Sequence, residues 1–131
     1  MKKSSFLFLA PFALALAAAV SRAAATVPPA PAGFELNGDP GRGRAVYDKS
    51  CALCHGPAGQ GNGPMAASLN PGPKDLTNKA VTGKRSDWEV YLVIRDGGKA
   101  LGLSPQMFSY RTLLEDQEIR DVAAFVRTLA K

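Results

Sequence analysis

Apolar side chains near the C-terminus recur at helical spacing. Ile119, Val122, Val126 and Leu129 fall three, four and three residues apart, with Phe125 alongside. The pattern predicts a helix over about Leu114 to Leu129. Its charges agree, with Glu115, Asp116 and Glu118 at the positive end of the helix dipole and Arg127 and Lys131 at the negative end. A second helix is predicted over Ser86 to Asp96. Trp88, Tyr91, Leu92 and Ile94 form its apolar side, Ser86 and Glu89 have the spacing of a capping box, and Gly97 ends it. A third, from about Pro40 to Ala52, has Asp39 to cap it, Pro40 at its first position, and Val46, Tyr47 and Cys51 as its inward residues. Residues 56–75 are rich in Gly and Pro and read as a long loop with one helical turn around Met65 to Leu69. Loops of that length in a compact domain usually act or wrap something. A second loop runs from Gly97 to about Thr112. No stretch shows a strand's alternation and no repeat is present, so the fold class is all-α.

The N-terminus departs from this periodicity. Met1, Lys2 and Lys3 precede an apolar run from Phe6 to Val20, broken only by Pro11, and Ala23-Ala24-Ala25 follows. This is the form of a secretory signal peptide, with cleavage expected after Ala25. The run falls short of the roughly 20 residues that span a bilayer, so no stable membrane insertion is expected once residues 1–25 are removed. Removal takes Lys2, Lys3 and Arg22 and no acid, so most of the formal charge of +5 belongs to the export segment. What remains has no basic run with interleaved aromatics, and no nucleic-acid partner is expected. The destination is an oxidising compartment, and the signal's form fits a bacterial periplasm. Pro28, Pro29 and Pro31 make residues 26–38 an extended, flexible leader. One domain, 39–131, follows.

The candidate chemistry is concentrated in Cys51-Ala52-Leu53-Cys54-His55, which holds the only histidine and both cysteines of the chain. C-x-x-C-H reads as a c-type haem attachment site. Two thiols three positions apart on the closing turn of a helix can bond the two vinyl-derived carbons of one porphyrin. The adjacent imidazole then lies under the iron. A redox dithiol of thioredoxin type would follow a strand, whereas here a helix precedes the motif. A closed zinc site would be short of a ligand. Gly59-x-Gly61-x-Gly63 lacks both the preceding strand and the Gly-Lys-Ser/Thr of a phosphate loop. The sixth iron position falls to Met107 or Met65, since a thioether there favours the ferrous state. Met107, in the loop between the two later helices, lies far enough along the chain to reach round the haem edge. Met65 would need a tight path, so Met107 is the expected ligand. Core packing is the ordinary alternative for either.

On these residues, Gly38 to Lys131 resembles the class I cytochromes c. The likeness lies in Gly43-x-x-Val46-Tyr47-x-x-x-Cys51-x-x-Cys54-His55-Gly56, in Ile94-Arg95-x-Gly97-Gly98 and in Ala123-Ala124-Phe125-Val126. The resemblance implies a cytochrome c-like fold of three to five short helices wrapped around one covalent haem c. It implies that Gly43 and Tyr47 sit where the first helix crosses the last and that Phe125 packs into this crossing. It also implies that the Pro64 carbonyl accepts the His55 Nδ1 proton, fixing the imidazole. Met107 is followed by Phe108, where family members very often have Met-Pro.

The expected function is single-electron transfer between periplasmic redox proteins by transient docking, without catalysis. Cys51, Cys54, His55, Pro64 and Met107 bind the haem, and His55 and Met107 bind the iron. Two alternatives stand beside it: a haem subunit of a larger respiratory oxidoreductase, and a ligand-binding haem protein with an open sixth site.

Overall fold

The computed structural model describes residues 26–131, so the proposed signal peptide lies outside the described residues. Among these residues there is no strand, and no helix is long and apolar enough to cross a membrane. Four α-helices carry the fold: α1 (Pro40–Ser50), α2 (Ala52–His55), α3 (Asp87–Asp96) and α4 (Asp116–Leu129). Short helical turns lie at Ala66–Ser68, Lys79–Gly83 and Gly98–Leu101. The turn at Lys79–Gly83 and the one at Gly98–Leu101 were not evident in the hydrophobic pattern; the other elements fall within a few residues of their predicted places.

The caps are those the sequence predicts. Asp39 Oδ1 accepts from the Gly41 and Arg42 amides at 2.7 and 3.0 Å. Ser86 and Glu89 bond reciprocally, Glu89 N to Ser86 Oγ at 3.2 Å and Ser86 N to Glu89 Oε2 at 2.8 Å. Each satisfies amides that the first helical turn leaves without partners.

Helices α1 and α4 form the main crossing, and α3 packs on α4 beside it. Tyr47, Leu92, Ile119 and Val122 are the largest fully buried side chains of the core among the described residues. Gly43 makes the crossing close: a Cβ there would stand 1.9 Å from the Asp121 carbonyl oxygen and 2.9 Å from the Phe125 Cβ. The Tyr47 ring lies 5.1 Å from that of Phe125. The expected roles of Gly43, Tyr47 and Phe125 are therefore met. Asp121, almost wholly buried, ties the same corner. It accepts from the Asp39 amide at 2.7 Å and from Arg42 Nε at 2.7 Å. The Arg42 guanidinium holds the Asp121 carboxyl down at about 2.

The segment 26–38 is not the flexible leader expected from its prolines. It is extended but docked as a strap across α3 and α4. Phe34 packs edge-on to Trp88 at 4.9 Å and beside Tyr91 at 5.4 Å. Trp88 Nε1 donates to the Pro28 carbonyl at 2.8 Å. Arg120 Nη1 donates to the Glu35 carbonyl at 2.7 Å, and Gln117 Nε2 to that of Asn37 at 3.1 Å. The physical reason is that Val27, Phe34 and Leu36 bury apolar surface against the core, which outweighs the Pro-rich composition around them.

Candidate haem site

The site begins where α1 ends. Cys51 closes α1, its amide bonding the Tyr47 carbonyl at 2.8 Å, and the single turn of α2 carries Cys54 and His55. Both cysteines are free thiols and half-buried. Burial pushes the Cys51 thiol up to about 12, helped by the neighbouring Cys54. A redox dithiol requires the opposite shift.

The loop after α2 folds back beneath it. Gly61 N bonds the His55 carbonyl at 2.8 Å, Gly63 N that of Cys54 at 3.1 Å, and Met65 N that of Leu53 at 3.0 Å. These bonds satisfy carbonyls that so short a helix leaves open. Tyr47 Oη donates to the Gly56 carbonyl at 2.7 Å, linking the loop to the main crossing.

His55 Nδ1 lies 3.2 Å from the Lys74 carbonyl oxygen. With Nδ1 donating there, Nε2 keeps its lone pair for a metal. Burial also pushes the imidazole pKa down, against the pull of that hydrogen bond, which favours the uncharged form that a metal binds. The carbonyl expected in this role was that of Pro64. Pro64 is instead exposed, between two residues whose amides are bonded to α2. The segment that reaches His55 is 73–76, brought in by the Leu76 amide bonding the Gly59 carbonyl at 2.7 Å.

Met107 is half-buried against the core, whereas Met65 is 43% exposed. The loop carrying Met107 is laced to the end of α3. Gly98 N bonds the Met107 carbonyl at 2.8 Å, Tyr110 N that of Ile94 at 3.2 Å, and Arg111 N that of Arg95 at 3.0 Å. It thereby satisfies carbonyls of the last turn of α3. Gly97 and Gly98 admit it. Gly97 has φ +84°, and a Cβ there would be 2.8 Å from the Met107 oxygen; one at Gly98 would be 2.2 Å from the Ser104 oxygen. One contact draws this loop to the attachment motif and another draws it to the loop that follows the motif. Tyr110 Oη donates to the Ser50 carbonyl at 2.6 Å, next to Cys51, and the Gln106 side chain accepts from the Asn70 amide at 2.9 Å.

Four further polar side chains, Trp88, Tyr91, Tyr110 and Arg85, have partners within the protein. Trp88 bonds the strap, Tyr91 bonds Asp116, Tyr110 bonds Ser50, and Arg85 bonds Glu89. Each takes its ordinary structural role. Leu53 and Phe108, neighbours in sequence of the attachment cysteines and of Met107, are each 53% exposed.

The donor set fits haem c: two free thiols at C-x-x-C spacing and an imidazole oriented through Nδ1. Together with the all-helical fold it defines a c-type cytochrome domain. The chain belongs to the cytochrome c family, whose model matches residues 41–130. Membership implies a covalent haem c and haem-based electron transfer. Among solved structures the chain is similar to one from a Kuenenia stuttgartiensis reducing HAO-like protein complex, Kustc0457/Kustc0458. The two share 28% identity at a TM-score of 0.61, over 79% of this chain and 50% of the other. The chain thus spans half the length of that relative. It is also similar in fold to the KustC0563 c-type cytochrome, with 22% identity and a TM-score of 0.54, over 68% of this chain and 98% of that one. No curated protein matches it.

Proposed function

We propose that the protein is a monohaem electron carrier of a bacterial periplasm, with haem c bonded to Cys51 and Cys54 and its iron bound by His55 and Met107. When bound, haem c supplies a one-electron ferric/ferrous couple. The observation that carries the reading is the His55 ring, fixed through Nδ1 on the Lys74 carbonyl beside two free thiols. Cys51 and Cys54 anchor the group, and His55 offers Nε2. The Met107 thioether supplies a neutral ligand from a loop held at several points, so ligand rearrangement on electron transfer is small. No substrate is transformed and no catalytic residue is named. The apolar run from Phe6 to Val20 supports export. Partners dock transiently.

The absorption spectrum of purified holo-protein tests this. A ferric sulfur-to-iron charge-transfer band, and a ferrous spectrum unmoved by carbon monoxide, are expected. Met107→Leu should abolish the band and Met65→Leu should keep it. A high-spin ferric spectrum with ready carbon monoxide binding would replace the reading with an open-site haem protein.

A second reading is a haem subunit of a larger oxidoreductase. It is favoured by the 28% identical relative, which belongs to a reducing HAO-like complex. Size exclusion of native extract separates the two, since a stable high-mass species would support the subunit.

A further inference from the structure

We propose that Asp96 and Arg111 form a positioning clamp that sets how firmly the chain presents Met107. The proposal rests on Met107 being the sixth ligand.

The loop that carries Met107 is bonded to α3 mainly through its backbone, and those bonds need no particular side chain. The side-chain tie is different in kind. Asp96, the last residue of α3, accepts from Arg95 Nε at 3.0 Å and Arg95 Nη2 at 2.9 Å. It also accepts from Arg111 Nε at 3.0 Å and from Arg111 Nη2. One carboxylate therefore joins an arginine of the helix to an arginine at the far end of the loop.

The two ends of the clamp differ in stiffness. The Asp96 side chain is 17% exposed, and Arg95 is set over the rings of Trp88 at 5.5 Å and Tyr91 at 5.3 Å. That side is part of the packed core. The Arg111 side chain is 60% exposed, and its guanidinium makes no other hydrogen bond among the described residues. Without Asp96 it is an ordinary mobile surface arginine. Its backbone amide, meanwhile, is bonded to the Arg95 carbonyl, and Ser109 Oγ donates to the same carbonyl at 2.6 Å. Loss of the Arg111 side-chain tie leaves that end of the segment 107–111, whose other end is Met107, on these bonds and the Tyr110 amide bond alone. Arg95 takes both carboxylate oxygens of Asp96, and both Arg111 nitrogens converge on Oδ1, so the carboxylate is held from the helix side and offers Arg111 a charge-assisted bond stronger than a wholly exposed ion pair.

The test uses ferric holo-protein. Imidazole is titrated while the sulfur-to-iron band is followed, and the urea midpoint and the amide exchange of Gly98, Tyr110 and Arg111 are measured beside it. Arg111→Gln is expected to bind imidazole about 3- to 10-fold more tightly, the range expected for loss of a charge-assisted ion pair on a largely buried carboxylate. Exchange at Tyr110 and Arg111 should rise while the urea midpoint stays near the parent's. Arg111→Lys, which keeps the charge and loses the two-nitrogen guanidinium contact, should recover part of the difference. Arg44→Gln breaks the exposed Arg44–Asp48 pair on α1 and should change nothing in the imidazole titration. Unchanged imidazole affinity in Arg111→Gln overturns the clamp even if Met107→Leu abolishes the band. A fall in urea midpoint that accounts for the whole affinity change assigns Arg111 a general structural role and also overturns it. A band that survives Met107→Leu refutes the ligand assignment, and the clamp with it.

Discussion

Gly43→Ala sets two opposing effects against each other at one position. In a helix interior alanine is favoured over glycine by about 1 kcal/mol. Against this, the new Cβ would lie 1.9 Å from the Asp121 carbonyl oxygen and 2.9 Å from the Phe125 Cβ. The first contact is with the backbone of α4, which cannot swing aside as a side chain could. To restore ordinary contact, α1 and α4 must part by on the order of 1 Å, which forfeits about a quarter to a half of the dispersion energy of atom pairs across the gap. Overpacking of this kind costs about 1–3 kcal/mol and occasionally more. The clash is rigid and Tyr47 and Val122 share the interface, so the upper part of that range applies. The net expectation is a loss of about 2 kcal/mol, or roughly 10 °C in melting temperature for a domain of this size. Urea and thermal melts of holo-protein, followed by far-ultraviolet circular dichroism, measure it. Gly41→Ala is the matched control. Its Cβ would meet only the Asp39 carboxylate, at 3.0 Å, and stability should stay within about 0.5 kcal/mol. A Gly43→Ala protein as stable as the parent would show that helix propensity wins and that the crossing is looser than described.

Acid should loosen the same corner. Asp121 is held at about 2 by Arg42, below the ordinary aspartate value, so its contribution is present above about pH 4 and is lost as pH falls towards 2. With Arg42 largely exposed, the contribution should be about 1–2 kcal/mol, and Asp121→Asn should flatten the acid limb of stability against pH. Phe34→Ala should release the strap at a cost of about 1–2 kcal/mol and shift Trp88 emission to the red; Trp88 is the chain's single tryptophan, so unchanged emission would refute docking. Tyr110→Phe removes the bond to the Ser50 carbonyl and should cost about 1 kcal/mol in a urea melt. The double variant Cys51→Ser, Cys54→Ser should leave a chain short of core, and a native-like circular dichroism spectrum from it would contradict that expectation.

The parts legible in the sequence are those set by local periodicity or by a motif of fixed spacing. Ile119, Val122 and Val126 locate α4, Ser86 with Glu89 starts α3, and Cys51, Cys54 and His55 locate the attachment turn. The parts that were not legible depend on which distant backbone arrives where. Lys74 serves His55 through its carbonyl, so its side chain carries no trace of the role, and Pro64 was the wrong neighbour. The strap was hidden by its prolines, although Val27, Phe34 and Leu36 were apolar residues in need of a surface. Gly97-Gly98 did carry a signal. Two glycines at a helix end, one of them more than the cap needs, point to a backbone passing close by, here the loop of Met107.

The α1–α4 crossing also imposes an order of assembly. Apart from its own continuation into α2, α1 has its principal packing surface on the last helix. An 11-residue helix is marginal by itself. As the chain emerges from its N-terminus, the segment bearing Cys51, Cys54 and His55 appears long before residues 116–129 are there to receive it. The two thiols therefore pass through an interval in which nothing tertiary shields them, and that interval closes only when α4 arrives. Attachment chemistry has its access built into the topology: the helix that completes the crossing is also the one that ends the opportunity.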